Sequence, residues 1–243
     1  MMSSSAKKVI IIGASSGIGR ALAELYVLAG HRVGITGRKD ALLLQLKQAF
    51  PGQVETACFD VTGAENIPQL ETLIQKLGGM DLLLYNAGYG EVSKTLEWSI
   101  EKETTQINVN GFLEIAVYGF NYFVRQGHGH LAGTSSLASA AGNGVAPAYS
   151  ASKAFMSTYL EGLYIKARKM KAPVVITDIQ PGFIDTKMSK GERRFWQAPV
   201  QKAARQIYRA LEQKRFRVYI TRRWWLIAQL VKLIPGSLYR RIA

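Results

Sequence analysis

The sequence of 243 residues predicts an α/β fold, in which one parallel sheet carries helices on both faces. Short β-branched and leucine-rich runs alternate with segments of helical periodicity along the chain. The first run, Lys8 to Gly13, is apolar almost throughout, which is typical of a strand buried on both faces. Most of the predicted strands end in small or polar residues, and in open parallel sheets those ends form the edge where ligands bind.

A glycine-rich turn follows the first predicted strand. Gly13, Gly17 and Gly19 lie close together, and helical spacing then runs to Gly30, which is typical of a helix end. Glycines let backbone N–H groups approach a pyrophosphate, and a helix amino terminus favours negative charge. The turn therefore indicates a dinucleotide phosphate site, and the alternative is an ordinary tight β–α turn.

Arg38 and Lys39 follow the second strand, which is predicted over Arg32 to Gly37. An NAD site usually places an acid here for the ribose 2′-hydroxyl, whereas Arg38 suits the 2′-phosphate of NADP. Asp40 is the competing candidate for the ribose, but it is better explained as the N-cap of a helix over Ala41 to Phe50.

The next part of the chain predicts two strands and two helical regions. From about residue 104 the second helical region is apolar on more than one face, which predicts cover by the sheet and by a partner subunit. Its polar exceptions, Asn108 and Asn110, are explained by capping or packing as readily as by function. The elements are the strand Gln53 to Phe59, the helix Glu65 to Leu77, the strand Asp81 to Tyr85 and the mostly helical segment Leu96 to Gly127.

The stretch from Ser135 to Lys153 carries the strongest catalytic signal. It follows a strand predicted over His130 to Thr134 and enters a helix that runs from about Ala148 to Met170. Tyr149 and Lys153 are four residues apart, so a helix places them on one face. The ammonium would lower the pKa of the phenol and make it a usable proton donor for carbonyl–alcohol chemistry. This spacing alone also occurs by chance.

The last part of the chain predicts one more strand–helix–strand unit. The strand Pro173 to Ile179 ends in Gln180 to Thr186. Residues 187–198 show no clean period and are interpreted as a loop over the substrate site. A helix over Val200 to Gln213 and a strand over Arg217 to Ile220 follow.

The net charge of +14 is concentrated towards the end of the chain, where Glu192 and Glu212 are the only acids after residue 190. No recognisable nucleic-acid-binding module accompanies it, so no nucleic-acid partner is expected. A single cysteine, Cys58, suits a reducing compartment. The first residues lack a secretion signal, and no apolar run reaches the roughly 18 residues of a membrane-spanning helix. His128 and His130 have no supporting cluster, so no metal is expected.

Five features occur in one order and resemble the short-chain dehydrogenase/reductase family over roughly residues 7 to 220. The resemblance implies a Rossmann-like sheet of order 3-2-1-4-5-6-7. It also implies hydride transfer between a nicotinamide and the carbonyl or alcohol carbon of a small molecule. The features are Gly13-x-x-x-Gly17-Ile18-Gly19, Asn86-Ala87-Gly88, Asn108, Ser136 and Tyr149-x-x-x-Lys153, with Pro181-Gly182 and Thr186 beyond them.

The resemblance also implies roles for individual residues. Tyr149 would be the general acid/base, and Lys153 would bind the ribose hydroxyls and lower the pKa of the tyrosine. Ser136, preferred over Ser135 on its spacing to the tyrosine, would hold the substrate oxygen, and Asn108 would fix a water in the proton relay. Asp60 and Val61 resemble the adenine contacts, and the Pro181 segment resembles the nicotinamide contact. The implied cofactor-binding residues are Gly13, Ser15, Ser16, Gly17, Ile18, Gly19, Arg38, Asp60, Val61, Asn86, Ala87, Gly88, Tyr149, Lys153, Pro181, Gly182, Ile184 and Thr186.

Ile12 and Tyr85 depart from the family pattern, which usually has Thr and Asn at those positions. Neither position does the chemistry, so the departures concern cofactor geometry and not activity. The sequence thus predicts a cytoplasmic carbonyl reductase, or its reverse, that prefers NADP(H) over NAD(H) and forms a homodimer. The alternative is a catalytically silent dinucleotide sensor or scaffold, although a pure binder needs no proton relay.

Residues 1–221 are predicted to form one domain, and 222–243 a basic, aromatic C-terminal extension. Trp224 to Ile234 is apolar except for Gln229 and Lys232. Eleven helical residues span only ~16 Å, about half a bilayer core, so this segment cannot cross a membrane. It predicts either peripheral contact with an anionic membrane or a segment that folds back over the substrate cleft or onto a partner chain.

Overall fold

The computed structural model describes residues 6–92, 95–186 and 196–233, and a seven-stranded sheet forms the centre of the fold. The strands are β1 Lys8–Ile12, β2 Arg32–Gly37, β3 Val54–Cys58, β4 Leu82–Tyr85, β5 Gly129–Thr134, β6 Val174–Pro181 and β7 Arg217–Ile220. All neighbouring strands are parallel, in the order β3-β2-β1-β4-β5-β6-β7. The predicted Rossmann-like order is confirmed.

Helices cover both faces of the sheet. They are α1 Gly17–Leu28, α2 Asp40–Ala49, α3 Asn66–Leu77, α4 Trp98–Thr105, α5 Phe112–Gln126, α6 Pro147–Lys169, α7 Val200–Glu212 and α8 Trp224–Leu233. One apolar core lies between the sheet and α1, α2 and α7, and a second lies between the sheet and α3, α5 and α6. Burial on both sides explains why β1 and β4 are apolar throughout their centres.

The parallel register brings the ends of the central strands to one edge. Ile12 at the end of β1 pairs with Tyr85 at the end of β4, which in turn pairs with Gly133 of β5. The residues that follow these strands, Gly13 and Asn86 among them, therefore lie side by side. Motifs that are far apart in the sequence meet at this edge.

The start of α2 differs from the prediction that Asp40 is its N-cap. Lys39 occupies the N-cap position, and Asp40 is the first residue of the helix. The prediction is wrong by one residue, because a negative charge is favourable both at the N-cap and in the first turn of a helix.

The C-terminal helix α8 folds back onto the sheet edge. It contacts β7 and a short 3₁₀ turn at Leu137–Ala140. Trp224 and Ala228 are buried, whereas Trp225, Leu226, Leu230 and Leu233 are exposed. Within the described residues no helix is both long and apolar enough to cross a membrane. The remainder of the predicted extension, 234–243, and most of the predicted substrate loop, 187–195, lie outside the described residues.

Candidate active site

The glycine-rich turn lies directly against the loop that follows β4. Gly13 has a φ of +84°, and a Cβ there would lie 2.6 Å from the backbone of Ala87. Asn86 Nδ2 donates to the Gly13 carbonyl oxygen at 2.9 Å, and the Thr134 hydroxyl donates to Asn86 Oδ1 at 3.2 Å. Glycine is required at position 13, because only glycine combines this φ with so close an approach of two backbones.

The amino terminus of α1 opens onto the same edge. Its first N–H groups have no partner within the helix, and the helix dipole adds positive potential there. Ser15 packs against Gly37 at the end of β2, and a Cβ at Gly17 would lie 3.5 Å from the Thr186 methyl carbon. A glycine cradle at a helix amino terminus fits the pyrophosphate of a nicotinamide dinucleotide.

A cavity of about 350 Å³ lies beside Arg38. The guanidinium is 3.4 Å from Asp60 Oδ2 and 3.6 Å from Glu103 Oε1, and its side chain is 57% exposed. Burial acts to raise the pKa of Asp60, but hydrogen bonds from Thr62 and the charge of Arg38 outweigh it and lower the pKa. Lys102 also lines the cavity. The two cations can receive a phosphate, which would compete with the two carboxylates for Arg38.

Tyr149 and Lys153 lie in the first two turns of α6, which begins at Pro147. Proline suits the first helical turn, because the backbone N–H that it lacks would have no partner within the helix there. Lys153 Nζ is 5.8 Å from the centre of the Tyr149 ring and donates to the Thr134 carbonyl oxygen at 2.9 Å. Burial lowers the pKa of Lys153 to about 8, while the negative charge of Asp178 acts to raise it. The predicted cation–phenol pair is thus brought together at the sheet edge.

Ser135 and Ser136 have different surroundings. Ser135 is buried, and its hydroxyl donates to Asp178 Oδ1 at 2.5 Å. Ser136 is half-buried, accepts a hydrogen bond from the Ala138 N–H at 3.1 Å, and has its hydroxyl 3.5 Å from the Pro181 carbonyl oxygen. Of the two serines, Ser136 is therefore the one that is not fully buried, and its choice as the substrate-binding serine stays a prediction.

Asn108 lies in a π-helical turn, Gln106–Gly111, between α4 and α5. Its buried Oδ1 accepts from the Tyr89 N–H at 2.9 Å, and its Nδ2 donates to the Tyr89 carbonyl at 2.7 Å and to Ser152 Oγ at 2.9 Å. Asn110, by contrast, is exposed. Asn108 therefore links the loop after β4 to α6, and π turns of this kind often occur at functional sites.

The two departures from the family pattern are both buried. The Tyr85 hydroxyl donates to the Ile107 carbonyl oxygen in the π turn, and its ring packs edge-on against Phe112. Ile12 belongs to the apolar core. Tyr85 therefore supports the turn that carries Asn108, a role that the family comparison does not predict.

Val61 and Ile184 support the edge from behind. Val61 is buried, and a Cβ at Gly111 of the π turn would lie 2.6 Å from its carbonyl oxygen. Ile184 is also buried and forms an isolated β-bridge with Ala198.

Aromatic side chains cover the edge beside Pro181. A Cβ at Gly182 would overlap the indole of Trp224, which is 5% exposed. The Trp224 ring centre lies 5.5 Å from that of Phe183 and 5.8 Å from that of Trp196. The contact with Gly182 is absent from the sequence-based predictions, because it joins segments that no local pattern connects.

Gly90 is another residue that sequence reasoning missed. A Cβ there would overlap the Tyr149 ring, so only glycine lets the loop after β4 cover that ring. The available signal was its position two residues after Gly88, and such glycine pairs are too common to single out. Lys102 and Glu103 were missed because they come from α4 and not from the strand end that carries Arg38.

Comparison with known proteins agrees with this geometry. The family model described as short chain dehydrogenase matches residues 7–196. The chain belongs to the short-chain dehydrogenase family. An uncharacterized oxidoreductase from Myxococcus xanthus is 36% identical over 195 residues, which cover 78% of this chain and 76% of the relative. As a short-chain dehydrogenase, the protein is an oxidoreductase.

Solved short-chain dehydrogenases share the fold. One from Burkholderia cenocepacia, in complex with NADP, has a TM-score of 0.83 at 22% identity and covers 97% of both chains. One from Burkholderia phymatum, in complex with NAD, has a TM-score of 0.84 at 20% identity and covers 95% of this chain and 94% of its own. At these identities the likeness establishes the fold alone. Because the two structures hold different cofactors, the preference between NAD and NADP has to be argued from this chain's own residues.

Proposed function

We propose that this short-chain dehydrogenase prefers NADP(H) and interconverts a carbonyl and an alcohol on a hydrophobic small molecule. The observation that carries the proposal is the convergence of Tyr149, Lys153 and Ser136 on the edge that also holds the glycine-rich turn. The bound cofactor would supply hydride to the carbonyl carbon or accept it from the alcohol carbon. A dinucleotide sensor would need no such set of proton-transfer groups.

The chain's own residues would handle the proton. The Tyr149 hydroxyl would donate its proton to the carbonyl oxygen, which the Ser136 hydroxyl would hold by a hydrogen bond. Lys153, fixed by its bond to the Thr134 carbonyl, would favour the phenolate that remains and would hold the ribose hydroxyls. Asn108, whose buried amide joins the adjacent loop to α6, would order the relay water beside that helix.

The preference for NADP(H) is supported by the charges around the cavity beside Arg38. Arg38 and Lys102 supply two cations for a 2′-phosphate, whereas the free 2′-hydroxyl of NAD(H) would gain no ion pair. The phosphate would compete with Asp60 and Glu103 for the guanidinium. A charge-assisted hydrogen bond of this kind contributes roughly 1.5–3 kcal/mol.

The aromatic cluster beside the proposed site supports a hydrophobic substrate. Phe183 and Trp196 pack edge-to-face against Trp224, whose indole covers Gly182, next to the carbonyl of Pro181 that lies near Ser136. Aromatic faces and edges favour apolar and aromatic groups over hydrated ones.

A substrate panel tests the proposed function. Purified protein would be mixed with NADPH or NADH and with matched pairs of carbonyl compounds, one short and polar and one long or aromatic, while the absorbance of the reduced nicotinamide is followed. We expect substrate-dependent oxidation that is faster with NADPH and with the hydrophobic member of each pair. Absence of oxidation with every compound and both cofactors would contradict the proposal.

Pairing of two copies through α5 and α6 is proposed as well. A groove of about 800 Å³ between these helices is mostly apolar, and Val117 and Phe155 on its walls are 41% and 36% exposed. A two-fold interface would cover both helices at once. Light scattering of the purified protein should give a dimer, and Phe155→Glu should give a monomer. A wild-type monomer at micromolar concentration would contradict this.

Peripheral contact with an anionic membrane is proposed for the outer face of α8, and a cytoplasmic location stays a prediction. Leu226 and Leu230 are exposed on this face, and Arg222 and Arg223 beside it can contact anionic lipid. Flotation with anionic and with neutral liposomes tests it, using wild type and a Leu226→Ser/Leu230→Ser variant that leaves the buried Trp224 in place. Binding only by wild type and only to anionic vesicles is expected; equal flotation of both proteins would refute the contact.

A further inference from the structure

Asp178 on β6 is a fully buried carboxylate that the proposed reaction does not use. It accepts hydrogen bonds from Ser135 Oγ at 2.5 Å, Ser157 Oγ at 2.7 Å and Gln180 Nε2 at 2.7 Å. Arg217 Nε donates to it at 3.1 Å. A carboxylate is costly to bury unless it is paired and hydrogen-bonded, and this one is fully provided with donors.

Two of these donors adjoin the proposed catalytic groups. Ser135 follows Thr134, whose carbonyl fixes Lys153 Nζ, and precedes the serine proposed to hold the substrate oxygen. Ser157 lies one turn after Lys153 on α6, on the same face of the helix. Asp178 therefore holds the end of β5 and the helix α6 together on either side of the lysine.

Besides its hydrogen bonds, Asp178 contributes a negative charge that acts on Lys153. Burial lowers the pKa of Lys153 to about 8, and the charge of Asp178 opposes that fall. Lys153 faces the Tyr149 phenol on its own helix, and Asp178 faces Arg217 from β7. Arg217 also lies 3.2 Å from Glu161 of α6, so its charge is shared between two acids.

We propose that Asp178 is a positioning residue that keeps the buried Lys153 protonated and holds the two elements that carry its contacts. The inference rests on the proposed function, since it assigns the protonated lysine to the ribose of the bound cofactor. Without the negative charge, burial would act on the ammonium unopposed, and the lysine would lose its proton at a lower pH.

The test is the pH dependence of NADPH binding, followed by quenching of tryptophan fluorescence, which needs no substrate. In wild type the affinity should fall as the pH rises through the pKa of about 8, because the ribose contact is lost with the Lys153 proton. In Asp178→Asn the affinity should begin to fall at lower pH. If the pKa of Lys153 is lower by about one, the protonated fraction of the lysine at high pH is roughly a tenth of that in wild type. At about pH 6, where Lys153 is protonated in both proteins, the affinities should agree.

Two further variants separate charge from loosening of the structure. Ser157→Ala removes a neutral hydrogen bond to the same carboxylate and should leave the position of the fall unchanged. Arg217→Gln removes a charged partner of opposite sign and should move the fall to higher pH, because more of the Asp178 charge then acts on Lys153. If Asp178→Asn does not fold, the double variant Asp178→Asn/Arg217→Gln, which neutralises both partners of the pair, should place the fall at lower pH than Arg217→Gln does.

Two results would overturn the inference and leave the proposed function standing. One is a fall in affinity at the same pH in Asp178→Asn and wild type, and the other is a fall at lower pH in Arg217→Gln. A wild type that binds neither NADPH nor NADH would overturn the proposed function and the inference together.

Discussion

The two sides of the proposed active site differ in what packs against their glycines. On the cofactor side, Gly13 lies against the backbone of Ala87. On the substrate side, Gly182 lies against the indole of Trp224, which comes from the last described helix. The backbone at Ala87 directly follows β4 and is held there by the hydrogen bond from the Asn86 N–H to the Ile12 carbonyl oxygen at 2.9 Å, whereas a side chain can change its rotamer. The cofactor side is thus fixed by geometry, and the substrate side can accommodate change.

The largest effect is expected from Gly13→Ala. The substitution adds a Cβ at a φ of +84° and 2.6 Å from the Ala87 backbone. Backbone strain costs roughly 1–3 kcal/mol, and overpacking costs roughly another 1–3 kcal/mol of the free energy of unfolding. NADPH binding should be lost as well.

Gly30→Ala is the matched control for this variant. Gly30 has the same φ of +84°, but a Cβ there has no atom within 4 Å. Gly30→Ala should therefore lower the free energy of unfolding only by the cost of backbone strain, and it should keep NADPH binding. Urea unfolding and a cofactor titration of both variants measure the difference, and equal losses would show that the contact with Ala87 is unimportant.

Arg38→Ala should weaken NADPH binding about ten- to a hundred-fold, the equivalent of one charge-assisted contact of roughly 1.5–3 kcal/mol. NADH has no 2′-phosphate, so its affinity should not change. Titration of wild type and variant with both cofactors measures this. Equal affinity of the wild type for NADPH and NADH would remove the basis of the preference.

Gly182→Ala should have a milder effect than Gly13→Ala, because the Trp224 indole can move. We expect a loss of about 1 kcal/mol in the free energy of unfolding, at the low end for overpacking. The KM for the carbonyl substrate should rise while NADPH affinity is unchanged. Adding Trp224→Ala should relieve the overlap, so the double variant should be more stable than the sum of the two single changes predicts. A double variant that is no more stable than this sum would argue against the contact.

Glu103→Gln should have the smallest effect and the opposite sign. Removing this carboxylate leaves Arg38 with Asp60 as its one described acidic partner and takes a negative charge from the cavity proposed for the 2′-phosphate. Exposed ion pairs contribute about 0.2–1 kcal/mol, so NADPH should bind about 1.4- to 5-fold more tightly. NADH affinity should stay the same. Weaker NADPH binding by this variant would place the phosphate elsewhere.

The sequence predicted those features whose physical cause is local. The apolar run of β1, the glycines that follow it and the Tyr149–Lys153 spacing each reflect a constraint within a few residues. The parallel sheet follows from the alternation of elements, and its strand order required the family resemblance. The choice of Ser136 over Ser135 also required the family resemblance.

Features that depend on contacts between distant segments could not be predicted. In the sequence, Asp178 is one of three polar residues in β6, and only the fold brings Ser157 and Arg217 to it. Glu103 and Lys102 approach Arg38 from a helix much later in the chain, and Trp224 reaches Gly182 from α8. No periodicity or spacing in a single sequence indicates that these distant segments contact one another.

The proposed reaction depends above all on the Tyr149 phenol, which would supply the proton for carbonyl reduction. Tyr149→Phe keeps the ring that packs against Gly90 and removes only the hydroxyl. Turnover of the best carbonyl compound would be measured beside the NADPH affinity of the same variant. We expect kcat to fall by at least about 10²–10⁴-fold, with unchanged NADPH affinity. Near-wild-type turnover, or a loss explained entirely by weaker NADPH binding, would contradict it.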